Sequence, residues 1–208
     1  MPELMIATLN PGKQREFREL LAPLTAQTQA RLLMPGERGL ALDVAETGQT
    51  YSENASLKAR ALAQATGVPA LGDDSGVEVA ALGGAPGLYS ARYAGPGATD
   101  ADRRRKLLYE LSPVPAPRLA RFVCVIAVAL PGGRVRLFEG ECQGEIALAE
   151  SGDGGFGYDP LFYIPGQGAT MAGLPAAVKN TISHRARAVQ AAIPYLLDVL
   201  GKPQPTGA

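Results

Sequence analysis

The segment ALGDDSG, residues 70–76, constrains the fold of this chain more than any other short stretch. Two adjacent carboxylates, Asp73 and Asp74, come just after the apolar residues 68–71, with Gly72 before them and Gly76 after Ser75. A charge at the end of a buried strand is costly unless a positive group meets it. The fold must therefore bring a cation, from the protein or from a bound metal, to this place.

The overall composition excludes proteins that bind polyanions through a general positive charge. A chain of 208 residues, 46% hydrophobic and 19% charged, is ordinary for a globular protein and buries a core without disulfides. Its formal net charge is zero, so nothing attracts it generally to nucleic acid or to anionic membranes. Any polyanion that it binds must be met by a local cluster of cations.

The cysteines and the apolar runs exclude further classes. Two cysteines are too few for a disulfide scaffold or a zinc site. The N-terminal residues lack the pattern of a signal peptide, and the longest apolar run, 122–130, is too short to span a bilayer. We therefore expect a cytoplasmic protein with neither a membrane nor a nucleic acid as partner.

Helix and strand signals alternate along the chain. Residues 3–8 predict a buried strand, and Pro11 suits the first turn of a helix that we expect to end near residue 22. Thr50 and Glu53 have the spacing of a capping box, and the small residues on one face of their helix predict close packing. The remaining predicted elements are strands over 27–33, 68–74, 76–82 and 142–149, helices over 99–111 and from Ser183 to about 200, a hairpin turning at 131–133, and a glycine-rich loop over 151–166.

These elements predict an α/β fold with a mixed sheet. The sequence contains no internal repeat and no interdomain linker, which predicts one domain over residues 1–200. The glycine at 201 opens a stretch with two prolines, so we expect residues 201–208 to form a flexible C-terminal tail.

The first motif that carries chemistry is TLNPGK, residues 8–13. A strand delivers a short loop and a helix N-terminus, whose backbone N–H groups receive an anion, and Lys13 adds a point charge. The spacing is not that of a Walker loop. A simple strand-to-helix turn with a solvated lysine is the alternative.

The acidic pair is the second motif, and Lys58 lies on the helix that leads to it. A carboxylate at the C-terminal end of a strand, next to a phosphate-binding loop, is where Mg²⁺ is held, and the same group accepts a proton from an attacking water. Successive residues of a strand point to opposite faces, so only one of the two aspartates faces the site. The alternatives are an ordinary turn for GDDSG and a surface lysine for Lys58.

Two further motifs fit the recognition of a base. In GGFGYDP, residues 154–160, Phe156 and Tyr158 offer an aromatic face for stacking, with a hydrophobic plug as the alternative. In KNTISHRARA, residues 179–188, His184 and Arg185 place cations in the first turn of a helix, where the backbone dipole disfavours them. Such a local conflict is typical of a functional site.

Taken together, these blocks resemble the inosine-triphosphate pyrophosphatase family, also called XTP/dITP diphosphatases. The matching blocks, in order, are ATLNPGK, ETGQTYSENASLKA, ALGDDSGVEVAALGGAPGLYSARYAG, GGFGYDPLFYIP and SHRARA. The resemblance implies an elongated, two-lobed α/β fold with a central nucleotide-binding cleft, and usually a homodimer. It also implies Mg²⁺-dependent hydrolysis of ITP, dITP and XTP to the monophosphate and pyrophosphate, which removes deaminated purines from the nucleotide pool.

The resemblance also assigns roles to residues of this chain. It makes Asp74 the proton acceptor and a metal ligand, and Ser75 a substrate contact. Relatives often carry consecutive acids before the TG dipeptide, whereas this chain has Ala45 and then Glu46. We expect Glu46 to be the second metal ligand, with a water molecule in its place as the alternative. The remaining substrate-binding residues implied are Thr8, Leu9, Asn10, Pro11, Gly12, Lys13 and Lys58 for the phosphates, and Phe156, Gly157, Tyr158, Asp159, Lys179, His184 and Arg185 for the base and sugar.

Three other functions compete with this interpretation. One is a related pyrophosphatase for pyrimidine or methylated nucleotides, which a substrate panel separates. Another is a nucleotide-binding regulator without hydrolytic activity, against which the acidic pair and the lysines argue. An RNA-binding module is disfavoured because the chain has no net charge and no basic stripe.

Overall fold

The computed structural model describes residues 1–40 and 44–201. Within these ranges the chain forms one seven-stranded sheet in the order β2-β1-β3-β4-β5-β6-β7. The strands are β1 (Glu3–Ala7), β2 (Arg31–Leu33), β3 (Ala70–Val79), β4 (Leu119–Ala129), β5 (Val135–Ile146), β6 (Phe162–Ile164) and β7 (Ala169–Thr170). The α-helices are α1 (Pro11–Leu20), α2 (Ala22–Thr28), α3 (Tyr51–Thr66), α4 (Asp100–Glu110), α5 (Ala176–Ile182) and α6 (His184–Gly201).

The chain divides into two compact units. The first comprises Met1–Asp74, Val125–Gly140 and the chain from Arg185 onward, and the second comprises Ser75–Cys124 and Glu141–His184. The predicted single domain over 1–200 stays a prediction. Of the predicted tail, Gly201 belongs to α6, and residues 202–208 lie outside the described residues.

The first unit is built on parallel strands. β1 pairs in parallel with β2 on one side and with β3 on the other, and the register places Ala7 opposite Gly72. Helix α3 begins at a cap in which Thr50 Oγ1 accepts a hydrogen bond from the Glu53 N–H at 3.1 Å. The Glu53 carboxylate accepts from the Gln49 N–H instead of from Thr50, so the predicted reciprocal capping box is incomplete.

The small face of α3 packs on β3 as its composition predicts. A Cβ placed on Gly72 would lie 2.5 Å from the carbonyl oxygen of Ala55 and 2.8 Å from the nitrogen of Ala59. Alanine side chains on the helix and a glycine on the strand therefore bring the two backbones into close contact. The core of this unit contains the buried residues Met5, Ala7, Leu33, Ala55, Ala59, Leu62, Ala63, Ala70, Val125, Ala127 and Ala129.

The second unit is built on antiparallel strands. β6 pairs with β5 and with β7, in registers that include Ile146 opposite Phe162 and Ile164 opposite Ala169. Helix α4 has a complete capping box between Thr99 and Asp102, which confirms the predicted helix start. The core includes Val77, Val79, Leu107, Leu111, Phe122, Cys142, Ile146, Tyr158, Leu161, Phe162 and Met171.

The predicted α/β fold with a mixed sheet is confirmed, and several element boundaries are corrected. Residues 70–79 form one continuous strand, so the acidic pair lies mid-strand rather than at a strand end. The strand predicted over 27–33 is shorter, because α2 extends to Thr28. The loop predicted over 151–166 contains β6, and α5 was not predicted.

The cysteines and the membrane-spanning potential of the helices were also considered in the sequence. Cys124 and Cys142 are both buried thiols that are not joined in a disulfide. No helix within 1–40 or 44–201 combines the length and the apolar character needed to cross a membrane.

Candidate active site

The loop that follows β1 is placed beside the acidic pair by the sheet register. Because Ala7 lies opposite Gly72 in parallel strands, Thr8 follows at the level of Asp73. The loop is held by its own side chains: Thr8 Oγ1 accepts from the Asn10 N–H at 3.2 Å, and Asn10 Oδ1 accepts from the Lys13 N–H at 3.0 Å. The predicted phosphate loop is therefore a pre-formed turn at the N-terminus of α1.

Asp73 is met by two cations of the protein. Its Oδ2 lies 2.9 Å from Lys13 Nζ and 3.3 Å from Arg185 Nη2, and its side chain is 1% exposed. Burial raises the pKa of Asp73, but the charges of Lys13, Arg185 and Lys58 outweigh it and hold that pKa well below its usual range. Asp73 is thus a permanently ionised carboxylate, and protein cations supply the positive charge that it requires.

Arg185 is buried between carboxylates. Its Nη1 donates to Glu16 of α1, its Nη2 donates to Asp73, and its guanidinium lies 5.8 Å from the centre of the Phe17 ring. The base-reading role expected of Arg185 stays a prediction. The described contacts of its side chain connect α6 to α1 and β3 in the first unit.

Asp74 has a different environment from its neighbour. Its Oδ2 accepts a hydrogen bond from Asn54 Nδ2 at 3.0 Å, and Asn54 Oδ1 accepts from the Gly48 N–H at 2.8 Å. Burial raises the pKa of Asp74, and although Lys58 and Asn54 oppose that shift, the negative charge of Glu46 adds to it. The net pKa is above the usual value, so this carboxylate is a stronger base than an exposed aspartate.

Lys58 and Glu46 form an ion pair beside Asp74. Lys58 Nζ lies 2.7 Å from Glu46 Oε1, and both lysine and carboxylate belong to the first unit. Burial lowers the pKa of Lys58, but Asp73, Glu46 and Asp74 together raise it above the usual value. Lys58 therefore carries its charge at neutral pH.

A Mg²⁺ ion in this cluster would be held by the carboxylates of Asp74 and Glu46 together with a bound substrate. Among residues 1–40 and 44–201, no three His, Cys, Asp or Glu side chains are grouped so as to hold a metal ion alone. Mg²⁺ in phosphate-transfer sites is commonly bound by one or two carboxylates together with substrate phosphates and water. Burial is the main cause of the raised pKa of Asp74 and the charge of Glu46 adds to it, and a cation bound here would oppose both effects.

The aromatic loop of the second unit is closed by Asp159. Asp159 Oδ2 accepts from the Phe156 N–H at 3.0 Å and forms an ion pair with Lys179 Nζ at 2.5 Å. The Lys179 ammonium also lies 5.4 Å from the centre of the Phe156 ring. The structure thus brings together three of the residues predicted to surround the base and sugar.

Tyr158 and His184 are buried in the same unit. Tyr158 is part of the core, and its hydroxyl donates to the Ser90 carbonyl oxygen at 2.9 Å, so the hydrophobic-plug interpretation fits this residue. His184, at the start of α6, stacks on Phe122 with ring centres 4.6 Å apart and planes 16° apart. Of the two aromatic residues predicted to stack on a base, only Phe156 is partly exposed.

The comparison with known proteins decides the family. The sequence profile of the Ham1 family matches residues 4–195. The chain belongs to the Ham1 family. Its relatives include a dITP/XTP pyrophosphatase of Geobacillus kaustophilus, 51% identical over 190 residues, which are 91% of each chain.

Solved structures of the Ham1 family agree with the fold of this chain. A HAM1 protein from Coxiella burnetii has a TM-score of 0.84 and 42% identity, and the match covers 95% of this chain and all of that one. The Staphylococcus aureus Ham1 protein has a TM-score of 0.82 and 41% identity, covering 94% of this chain and 98% of that chain. The resemblance inferred from the sequence is confirmed.

Two residues of this Ham1-family site were missed by the sequence analysis. Asn54 is fully buried and holds Asp74, while Glu16 holds Arg185. A signal for Asn54 was present, because it precedes Lys58 by four residues and so shares a helical face with it. Glu16 and Arg185 are 169 residues apart, and no local pattern connects them.

Proposed function

We propose that this Ham1-family chain hydrolyses the non-canonical purine nucleoside triphosphates ITP, dITP and XTP to the monophosphate and pyrophosphate. This reaction removes deaminated purines from the nucleotide pool. The names of curated relatives support the proposal, since the Geobacillus kaustophilus relative is a dITP/XTP pyrophosphatase. The observation that carries it is the contrast between two adjacent aspartates. Lys13 and Arg185 neutralise Asp73, whereas Asp74 is held by Asn54 and has a raised pKa.

The triphosphate is assigned to the cluster in the first unit. Lys13 and Lys58 are cations close to Asp73 and Asp74, and the turn at residues 8–13 presents the N-terminus of α1. Electrostatic stabilisation of the transferring group and of the leaving group is most of what phosphoryl transfer requires. Lys13 and Lys58 therefore stabilise the departing pyrophosphate.

Asp74 is assigned the role of proton acceptor. Asn54 fixes one of its oxygens, and burial raises its pKa, which makes it a better general base at neutral pH. It orients the water that attacks the α-phosphorus and takes its proton. Ser75, the next residue of β3, stays a proposed substrate contact.

We further propose that the enzyme depends on Mg²⁺, held by Asp74 and Glu46. When bound, this ion supplies positive charge that neutralises the phosphate oxygens. The Glu46 carboxylate also pairs with Lys58. Glu46 would therefore both hold the Lys58 ammonium and contribute a ligand to the metal. A homodimer is proposed on the resemblance to the family.

Base recognition is assigned to the cluster in the second unit, which contains Phe156, Asp159 and Lys179. Hypoxanthine and xanthine present a carbonyl acceptor at position 6, where adenine presents an amino donor. A pocket that offers donors leaves the amino group of adenine unmatched, at a cost of about 1–3 kcal/mol. Where several buried polar groups are left unmatched together, such a site discriminates by about 10⁴-fold.

Replacement of Asp74 by Asn tests the proposal. The Asn54 contact and the shape of the side chain are kept, but the proton acceptor is lost. We expect release of pyrophosphate from ITP to fall by orders of magnitude, while the circular dichroism spectrum is unchanged. Near-normal turnover by Asp74→Asn would remove Asp74 from the reaction.

A further inference from the structure

Helix α4 holds both peptide groups of Gly157, in the loop that contains Phe156. Asp100 Oδ2 accepts a hydrogen bond from the Gly157 N–H at 2.8 Å, and Arg104 Nη1 donates one to the Gly157 carbonyl oxygen at 2.8 Å. Asp100 and Arg104 are four residues apart and share one face of the helix. We propose that they are positioning residues, which fix the loop of residues 156–159 for binding the base and sugar.

The loop is also held by contacts that do not involve Gly157, among them the ion pair of Asp159 with Lys179 of α5. Asp159 closes the turn on itself by accepting from the Phe156 N–H, and Tyr158 anchors it to the Ser90 carbonyl oxygen. Gly157 has φ +62°, a left-handed conformation that a non-glycine residue adopts only with strain. The two bonds from α4 therefore hold the loop at a residue whose left-handed backbone conformation favours glycine.

Arg104 is itself held in place. Its Nε lies 3.0 Å from Glu150 Oε2, and its side chain is 15% exposed. The start of α4 is fixed by the capping box of Thr99 and Asp102, and Asp100 also pairs with Arg103 at 3.2 Å. Helix α4 thus holds the Asp100 carboxylate and the Arg104 guanidinium in position, so that one bonds the N–H and the other the carbonyl oxygen of Gly157.

Displacement of Gly157 would move its neighbour Phe156, the partly exposed aromatic residue of the loop. The inference rests on the proposed function, in which this loop contacts the base and sugar and not the reacting phosphorus. Weaker contacts to the base affect substrate and transition state equally, so KM rises while kcat changes little. A residue with a merely structural role would lower stability without this separation of KM from kcat.

Arg104 is tested against its neighbour Arg105, whose side chain is 76% exposed and pairs with Asp102 on the helix surface. In the full-length protein, Arg104→Ala should raise KM for ITP about five- to tenfold, the value of one hydrogen bond. Its kcat should stay within about twofold. Arg105→Ala removes the same side chain from the same helix and should leave both constants within about twofold.

Asp100 is tested by two substitutions that differ in one property. Asp100→Asn and Asp100→Ala both remove the charge that pairs with Arg103 and favours the N-terminus of α4. Only Asn keeps an oxygen that accepts from the Gly157 N–H. Asp100→Ala should raise the KM for ITP about as much as Arg104→Ala does. Asp100→Asn should leave the KM close to the wild-type value, because Asn still accepts the hydrogen bond.

Amide hydrogen exchange of Gly157 reads the position of the loop without reference to activity. We expect exchange to be faster in Asp100→Ala and Arg104→Ala than in wild type, and unchanged in Arg105→Ala. Unchanged exchange, or a KM for ITP within twofold of wild type in both variants, overturns the positioning role. A wild-type enzyme that releases no pyrophosphate from ITP instead overturns the proposed function, and exchange then decides the loop contact alone.

Discussion

Lys13 Nζ lies 2.9 Å from Asp73 Oδ2, so the lysine of the predicted phosphate loop is paired with the first aspartate of the acidic pair. The second aspartate, Asp74, is instead held by the amide of Asn54. Two adjacent carboxylates thus have opposite pKa shifts, lowered for Asp73 and raised for Asp74. This contrast supports the proposal that Asp74, and not Asp73, accepts the proton.

Asp73→Asn should destabilise the protein strongly. The substitution leaves the buried Arg185 with one carboxylate fewer, and breaking a buried ion pair typically costs about 3–5 kcal/mol. Urea unfolding measures the free energy, and Asp153→Asn, in an exposed loop, is the control. A loss below about 1 kcal/mol would contradict the role of Asp73 as a buried counter-ion.

Gly72→Ala should also destabilise, for a steric reason. Its Cβ would lie 2.5 Å from the Ala55 carbonyl oxygen, so α3 must move away from β3 at a cost of about 1–3 kcal/mol. Gly132→Ala is the matched control, because a Cβ there meets no atom within 4 Å. Equal unfolding midpoints for the two variants would show that α3 does not pack as described.

Glu46→Gln tests the second proposed metal ligand. Glutamine keeps an oxygen that accepts from Lys58 but lacks the charge that attracts Mg²⁺. We expect the Mg²⁺ concentration for half-maximal activity to rise about tenfold, within the range for a lost metal-site interaction. The exposed Glu139→Gln should leave it unchanged, and an unaltered Mg²⁺ requirement in Glu46→Gln would exclude Glu46 as a ligand.

Local signals in the sequence predicted the elements that local physics determines. Thr50 and Thr99 begin helices as side-chain caps, and β1 leads into the turn at Asn10. The glycines around the acidic pair suggested a strand end, but β3 continues to Val79 because cations from distant segments neutralise Asp73. The charge of Asp73 is unfavourable inside a strand when only its neighbours in sequence are considered. Tertiary contacts make it compatible with the strand, and a single sequence does not show those contacts.

Of the site, the sequence predicted the residues that lie in contiguous motifs but not those whose partners are distant in the chain. The residues of contiguous blocks, such as Lys13 and Asp74, were found from their chemistry and from the family resemblance. Glu16 was missed because its partner is 169 residues away. Asn54 was missed although it lies four residues before Lys58 on α3, because the sequence does not show that its amide meets Asp74. The role of Arg185 depends on which carboxylates surround it, and the sequence does not indicate them.

We propose that this protein cleaves deaminated purine triphosphates between the α- and β-phosphates. The release of pyrophosphate from ITP, XTP, dITP, GTP and ATP, each measured with and without Mg²⁺, tests this proposal most directly. We expect rapid release of pyrophosphate from ITP, XTP and dITP with Mg²⁺, far slower release from ATP, and loss of activity without the metal. Equal rates with ITP and ATP, or release of orthophosphate in place of pyrophosphate, would contradict it.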